Sequence, residues 1–156
     1  MKLISKSVKQ TLAIGTKIAK NLKKGDIICL FGELGSGKTV LTKGIAAGLG
    51  IERDKIISPS FVLIRQYPGA KIPLYHFDLY RLRAAGDILV LGYEEYLYGA
   101  GVSVIEWADR LKYLLPAEFL KIELTIKAKT ERWLKVSAFG KRYRNFLEDI
   151  DEDISS

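Results

Sequence analysis

The sequence predicts one α/β domain with a central mixed, mainly parallel sheet flanked by helices. Three observations predict it. The apolar run DIICLF, residues 26–31, passes through a glycine-rich stretch directly into a helical segment. Two further apolar runs, IPLYHFDLY and VSVIEW, each deliver an acid at or near their ends. Helix-patterned segments lie between such runs, the arrangement expected of strands covered by helices.

Taken in order, Ser7 to Lys24 places Val8, Leu12, Gly15, Ile18, Ala19 and Leu22 on one helical stripe, and Ser7 and Gln10 have the spacing of a capping box. Lys20, Lys23 and Lys24 complement the C-terminal dipole of that helix, with Gly25 as its expected cap. DIICLF is an unbroken apolar run of the kind found centrally in parallel sheets, and KTVLTKGIAAGLG is a helix closed by Gly48 and Gly50. SPSFVLIRQY and IPLYHFDLY read as strands joined by a turn with Pro68, Gly69 and Pro73. AGDILVLGYEEYL reads as helix and VSVIEW as a buried strand. LKIELTIKA and RWLKVSAFG alternate around the polar KTE and form a hairpin at the far side of the sheet. The domain is expected over 1–147, with the acidic residues 148–156 as a frayed tail.

Composition narrows the function classes. Of the 156 residues, 48% are hydrophobic, enough for a real core. No apolar stretch approaches the ~20 residues that cross a bilayer, and MKLISK lacks a signal core, so a cytoplasmic protein without membrane contact is expected. One cysteine, Cys29, sits in an apolar run and reads as a small buried hydrophobe. The net charge of +7 is concentrated in residues 1–24, which hold Lys2, Lys6, Lys9, Lys17, Lys20, Lys23 and Lys24 and no acid. Such a segment attracts polyanions, but a solvated helix face accounts for it equally well.

The chemistry is carried by GELGSGKT, residues 32–39. Gly32, Gly37, Lys38 and Thr39 satisfy the fixed positions of G-x-x-x-x-G-K-[ST] between a strand and a helix, the context this phosphate-binding loop requires. Bare backbone lets successive N–H groups surround a phosphate, and the helix N-terminus adds its positive end. Lys38 reaches the β- and γ-phosphates and the Thr39 hydroxyl ligates magnesium, so ATP and Mg2+ are the expected cofactors. The loop residues Glu33, Leu34, Gly35, Ser36, Gly37 and Val40 are candidate nucleotide contacts. Hydrolysis also needs carboxylates. Glu106, at the end of VSVIE, is the better candidate for the metal shell, and Asp78, at the end of LYHFD, faces the γ-phosphate directly or through water, as a magnesium-shell or water-positioning group. His76 shares a strand face with Asp78 and either tunes it or is a satisfied, partly buried histidine, the commoner outcome, while Trp107 follows Glu106 and lies over the nucleotide, lines a partner surface or, more commonly, packs locally.

The absence of an Asn-Lys-x-Asp guanine reader argues against a GTPase. A small-molecule kinase is the alternative, for which Arg81 and Arg83 offer lid arginines without a lid insertion; a nucleotide-gated adaptor that never hydrolyses is another.

GELGSGKTVLTKGIAAGLG, SPSF, YHFDLYRL, LGYEEYL and VSVIEWADR resemble, in order and spacing, the bacterial TsaE family of tRNA threonylcarbamoyladenosine biosynthesis, from about Ser7 to Arg132. Ser60 stands where that family usually has threonine, and Glu33 and Ser36 replace the commoner aspartate and alanine. The resemblance implies a magnesium-dependent ATPase acting on a complex of TsaB and TsaD, touching tRNA only through that complex and not DNA. ATP binding would drive docking and hydrolysis would reset the complex. It implies Lys38 as the phosphate lysine, Thr39 and Glu106 as magnesium ligands, Asp78 as essential for hydrolysis and Trp107 as a neighbour of the site. It also implies Thr11 and Arg132 near the adenine or ribose, and a nucleotide-responsive loop at Ser58–Phe61.

Overall fold

A computed structural model of the chain describes residues 1–57 and 63–155. The strand expected from SPSFVLIRQY is described only as β3, Ile64–Tyr67; Ser58–Phe61 lie outside the described residues. Seven strands form one mixed sheet in the order β1-β7-β6-β2-β5-β4-β3. Its centre is parallel: β2 (Ile27–Phe31) lies between β6 (Phe119–Ile126) and β5 (Val102–Glu106), and β5 pairs with β4 (Leu74–Asp78). The margins are antiparallel, with β3 on β4 and β7 (Arg132–Phe139) on β6. β1 (Lys2–Ser5), in a stretch to which the sequence pattern assigns no element, is held at the edge by β7. Its pairing is long-range, Leu3 opposite Leu134, so four residues carry too little local signal to announce it.

One sheet face is covered by α1 (Val8–Ala19), α2 (Lys38–Gly48) and α4 (Lys141–Ser155), which bury Ile18, Leu41, Ile45, Phe146 and Ile150 against Ile28, Leu30, Val104 and Ile122. The other is covered by 3-10 segments at Ala85–Leu91 and Ala108–Leu114 and by the short α3, Tyr93–Leu97. Cys29 is fully buried on that side, and burial pushes its thiol well above the ordinary range, as expected of a packing residue.

Four local expectations change. The Ser7 Oγ accepts the Gln10 N–H at 3.0 Å, but the Gln10 side chain reaches back to the Lys6 N–H at 2.6 Å, one residue before the usual partner. The α1 helix ends at Ala19 and relaxes through i→i+3 turns, so Gly25 is not its cap; instead the Gly25 N–H donates to the Gly101 carbonyl at 2.9 Å. AGDILVLGYEEYL is not one helix, because Gly92 (φ 68°) interrupts it between the 3-10 segment and α3.

The residues expected as a tail carry helix: α4 runs to Ser155. Its charges oppose the helix dipole, basic at Lys141, Arg142 and Arg144 and acidic from Glu148, an effect of ~0.3–1 kcal/mol per charge. Burial of Tyr143, Phe146 and Ile150, each ~1.5–3 kcal/mol, outweighs it. Arg142 secures the helix by two hydrogen bonds to the Asp26 carboxylate, at 3.0 and 2.7 Å.

Candidate functional site

The loop from Gly32 to Thr39 connects the central strand β2 to α2, so it opens at the C-terminal edge of the parallel strands. Gly37 caps α2 with φ 104°, a conformation that L side chains resist. The buried Lys38 side chain curls back, its Nζ donating to the Gly32 and Glu33 carbonyls at 2.6 and 2.8 Å and approaching Ser36 Oγ at 3.4 Å. Glu33 therefore contributes backbone while its side chain is exposed, and Ser36 is buried beneath the loop. Desolvation holds the Lys38 pKa below the ordinary lysine value, opposed by the charges of Glu106, Asp78 and Asp109.

Glu106 is the hub. Parallel pairing puts Asp78 opposite Glu106 and His76 opposite Val104, all on the sheet face beneath α2. Glu106 is buried, and its Oε1 accepts the Thr39 hydroxyl at 2.8 Å. Its Oε2 lies 2.5 Å from His76 Nε2 and 3.3 Å from Thr42 Oγ1. His76 thus bonds Glu106, not Asp78 as its position two residues before that acid suggests; side chains diagonal across a ladder come within reach. The fully buried His76 has no partner at Nδ1 among the described residues. Thr42 was not singled out by the sequence, although its spacing from Lys38 and Thr39 places it on the same helical face.

Leu34, Gly35, Gly37, Lys38, Thr39, Val40, Asp78, Tyr80, Glu106 and Trp107 enclose a cavity of about 320 Å³. Asp78 accepts the Tyr80 N–H at 3.1 Å. Trp107 has a left-handed backbone (φ 57°, ψ 43°) and lays its ring 4.0 Å from Lys38 Nζ and 5.0 Å from the ring of Tyr80. Thr11 and Arg132 are not in this cavity. They line an adjoining one of about 260 Å³ with Ser7, Val8, Lys129 and Thr130, which shares Gly35, Gly37 and Val40 with the first. Val8, placed by periodicity on the same helical stripe as Ile18 and Leu22, is 64% exposed and walls that cavity. Arg132 ties the β6–β7 turn to the loop, donating to the Ala128 carbonyl at 2.8 Å and the Gly35 carbonyl at 3.2 Å.

The donor set has a definite chemistry. Among the described residues no cluster of three His, Cys, Asp or Glu side chains forms a closed metal cage. A hydroxyl and a carboxylate, Thr39 and Glu106, stand together beside the loop. That set suits magnesium, which takes one or two protein oxygens and completes its shell with phosphate and water.

Comparison with known proteins identifies the family. The family model described as "Threonylcarbamoyl adenosine biosynthesis protein TsaE" matches residues 5–134. The chain is 40% identical over 141 residues to the tRNA threonylcarbamoyladenosine biosynthesis protein TsaE of Bacillus subtilis, covering 90% of this chain and 87% of the relative. It is 39% identical to that of Treponema pallidum, covering 88% and 100%. The crystal structure of Bacillus subtilis YdiB superposes with a TM-score of 0.85 at 37% identity, covering 98% of this chain and 95% of that one. On the match across most of its length, the chain belongs to the TsaE family.

Proposed function

We propose that this protein binds ATP with magnesium in the 320 Å³ cavity and hydrolyses it slowly, as the ATPase of tRNA threonylcarbamoyladenosine biosynthesis acting on a TsaB–TsaD complex. The observation that carries the reading is the convergence of Lys38 and the Thr39–Glu106 pair beneath one glycine loop. Lys38 Nζ is held at the loop by the Gly32 and Glu33 carbonyls and the longer Ser36 Oγ contact, and would exchange one of these for a phosphate oxygen. Loop N–H groups and the α2 N-terminus neutralise the remaining phosphate charge. Thr39 and Glu106 would hold magnesium, which when bound offsets charge on the β- and γ-oxygens. Asp78 orients the attacking water. Thr11, Val8 and Arg132 receive the base or ribose in the adjoining cavity.

Among the described residues no arginine lines the phosphate cavity, and an arginine finger is worth about 10³ to 10⁵ in rate. The isolated protein is therefore a slow ATPase, and the complex speeds it by completing or drying the site. Phosphate release from ATP and magnesium, measured with and without TsaB and TsaD, tests this. Stimulation supports the reading; equal turnover refutes the partner. Release only on addition of a small phosphoryl acceptor, with a phosphorylated product, identifies a kinase instead.

A further inference from the structure

The two faces of the β6-β7-β1 margin differ in what covers them. Leu124, Leu134 and Val136 are buried under the helices, whereas Trp133 and Lys135 alternate to the opposite side, in register with Thr125 on β6 and with Lys2 on β1. The helices packed on β1 and β7, α1 and α4, belong to the first face. On the other, Lys2 Nζ lies 3.2 Å and Lys127 Nζ 4.1 Å from the centroid of the half-buried Trp133 ring. A cavity of about 370 Å³ opens beside the ring, walled by Met1, Lys2, Thr125, Lys127, Trp133 and Lys135. The nearby acids are engaged, Glu123 with Lys121 at 3.5 Å and Glu131 by the Trp133 Nε1–H at 3.1 Å. Lys2, Lys127 and Lys135 are exposed and form no ion pair among the described residues.

We propose that this face binds single-stranded nucleic acid, with Trp133 stacking a base and Lys2, Lys127 and Lys135 contacting the adjoining phosphates. Ammonium groups resting on an indole are exchangeable for a base, since both take the π-face and the freed lysine then meets phosphate. A duplex hides its base faces and would leave the ring unused. An acidic peptide would satisfy the lysines but not the tryptophan. None of these residues lines the phosphate cavity, so the inference stands independently of ATP hydrolysis.

Fluorescence anisotropy with a labelled uridine-rich RNA dodecamer, titrated across salt concentrations, tests it. Expected are tighter binding of the single strand than of a duplex of equal length, and at least a tenfold loss in Trp133→Ala. Trp133→Phe should retain most of the affinity. Lys2→Gln and Lys135→Gln should each reduce the salt slope by about 0.7, the single-strand value per phosphate, while leaving phosphate release unchanged. Should Trp133→Ala fail to fold by circular dichroism, the phenylalanine and lysine variants decide. No binding at low salt, equal binding of duplex, heparin or polyglutamate, or a folded Trp133→Ala with undiminished affinity overturns the proposal.

Discussion

Glu106 draws its reach from its neighbours: Thr39 fixes one carboxylate oxygen, and His76 and Thr42 meet the other. Partners that orient a metal ligand, the role proposed for Glu106, typically contribute about 10–100-fold to metal affinity or activity. His76→Ala is expected to raise the magnesium concentration needed for half-maximal hydrolysis within that range, with magnesium-free ATP binding little changed in calorimetry. Glu106→Gln should reduce magnesium-dependent hydrolysis more severely than magnesium-free binding; a variant with normal magnesium dependence would move the metal to Asp78. Lys38→Ala should abolish ATP binding. The Lys38 pKa is lowered by burial, so between that lowered value and 10.5 the unfolded chain holds more protons than the folded one. Stability contributed at this position therefore rises with pH across that window, and the stability difference between the protein and Lys38→Met should follow it in denaturant titrations.

The α1–α2 crossing positions the site from below. A Cβ at Gly44 would lie 2.4 Å from the Leu12 carbonyl oxygen, and one at Gly15 would lie 2.7 Å from the Leu41 carbonyl oxygen, so the two helices meet backbone to backbone. Overpacking costs ~1–3 kcal/mol, against a helix-propensity gain of ~1 kcal/mol for Gly to Ala. Gly44→Ala should therefore lose stability on balance in urea unfolding. It should also weaken nucleotide binding, because α1 carries Thr11 and α2 carries Val40 on the two sides of the second cavity. Unchanged stability and affinity would mean the crossing yields freely.

Across the whole molecule, α4 joins the end of the chain to the start of the central strand. The Tyr143 hydroxyl accepts the Ile27 N–H at 2.8 Å, and burial pushes its pKa up to about 12. The folded state thus keeps the phenolic proton longer than the unfolded chain: this contribution is intact below pH 10 and is lost as pH rises from 10 to about 12. Tyr143→Phe strands a buried N–H, a cost of ~1–3 kcal/mol at neutral pH, and should show a smaller loss of stability between pH 8 and 11 than the parent in denaturant titrations.

The sequence by itself determined the strand-loop-helix unit, the buried strands that end on Asp78 and Glu106, and the β6–β7 hairpin. These rest on contiguous patterns: unbroken apolar runs, fixed glycine spacing, and alternation. It also held the composition of the site from Leu34 to Val40. Only the tertiary structure decided the edge strand β1, the helical course of α4 against its own charge pattern, the capture of Glu106 by His76 and Thr42, and the division of the predicted contacts between two cavities. Each of those depends on residues far apart in the chain meeting across a ladder or a helix crossing. Local periodicity records which face a side chain occupies, but the partner waiting there is set by register and packing.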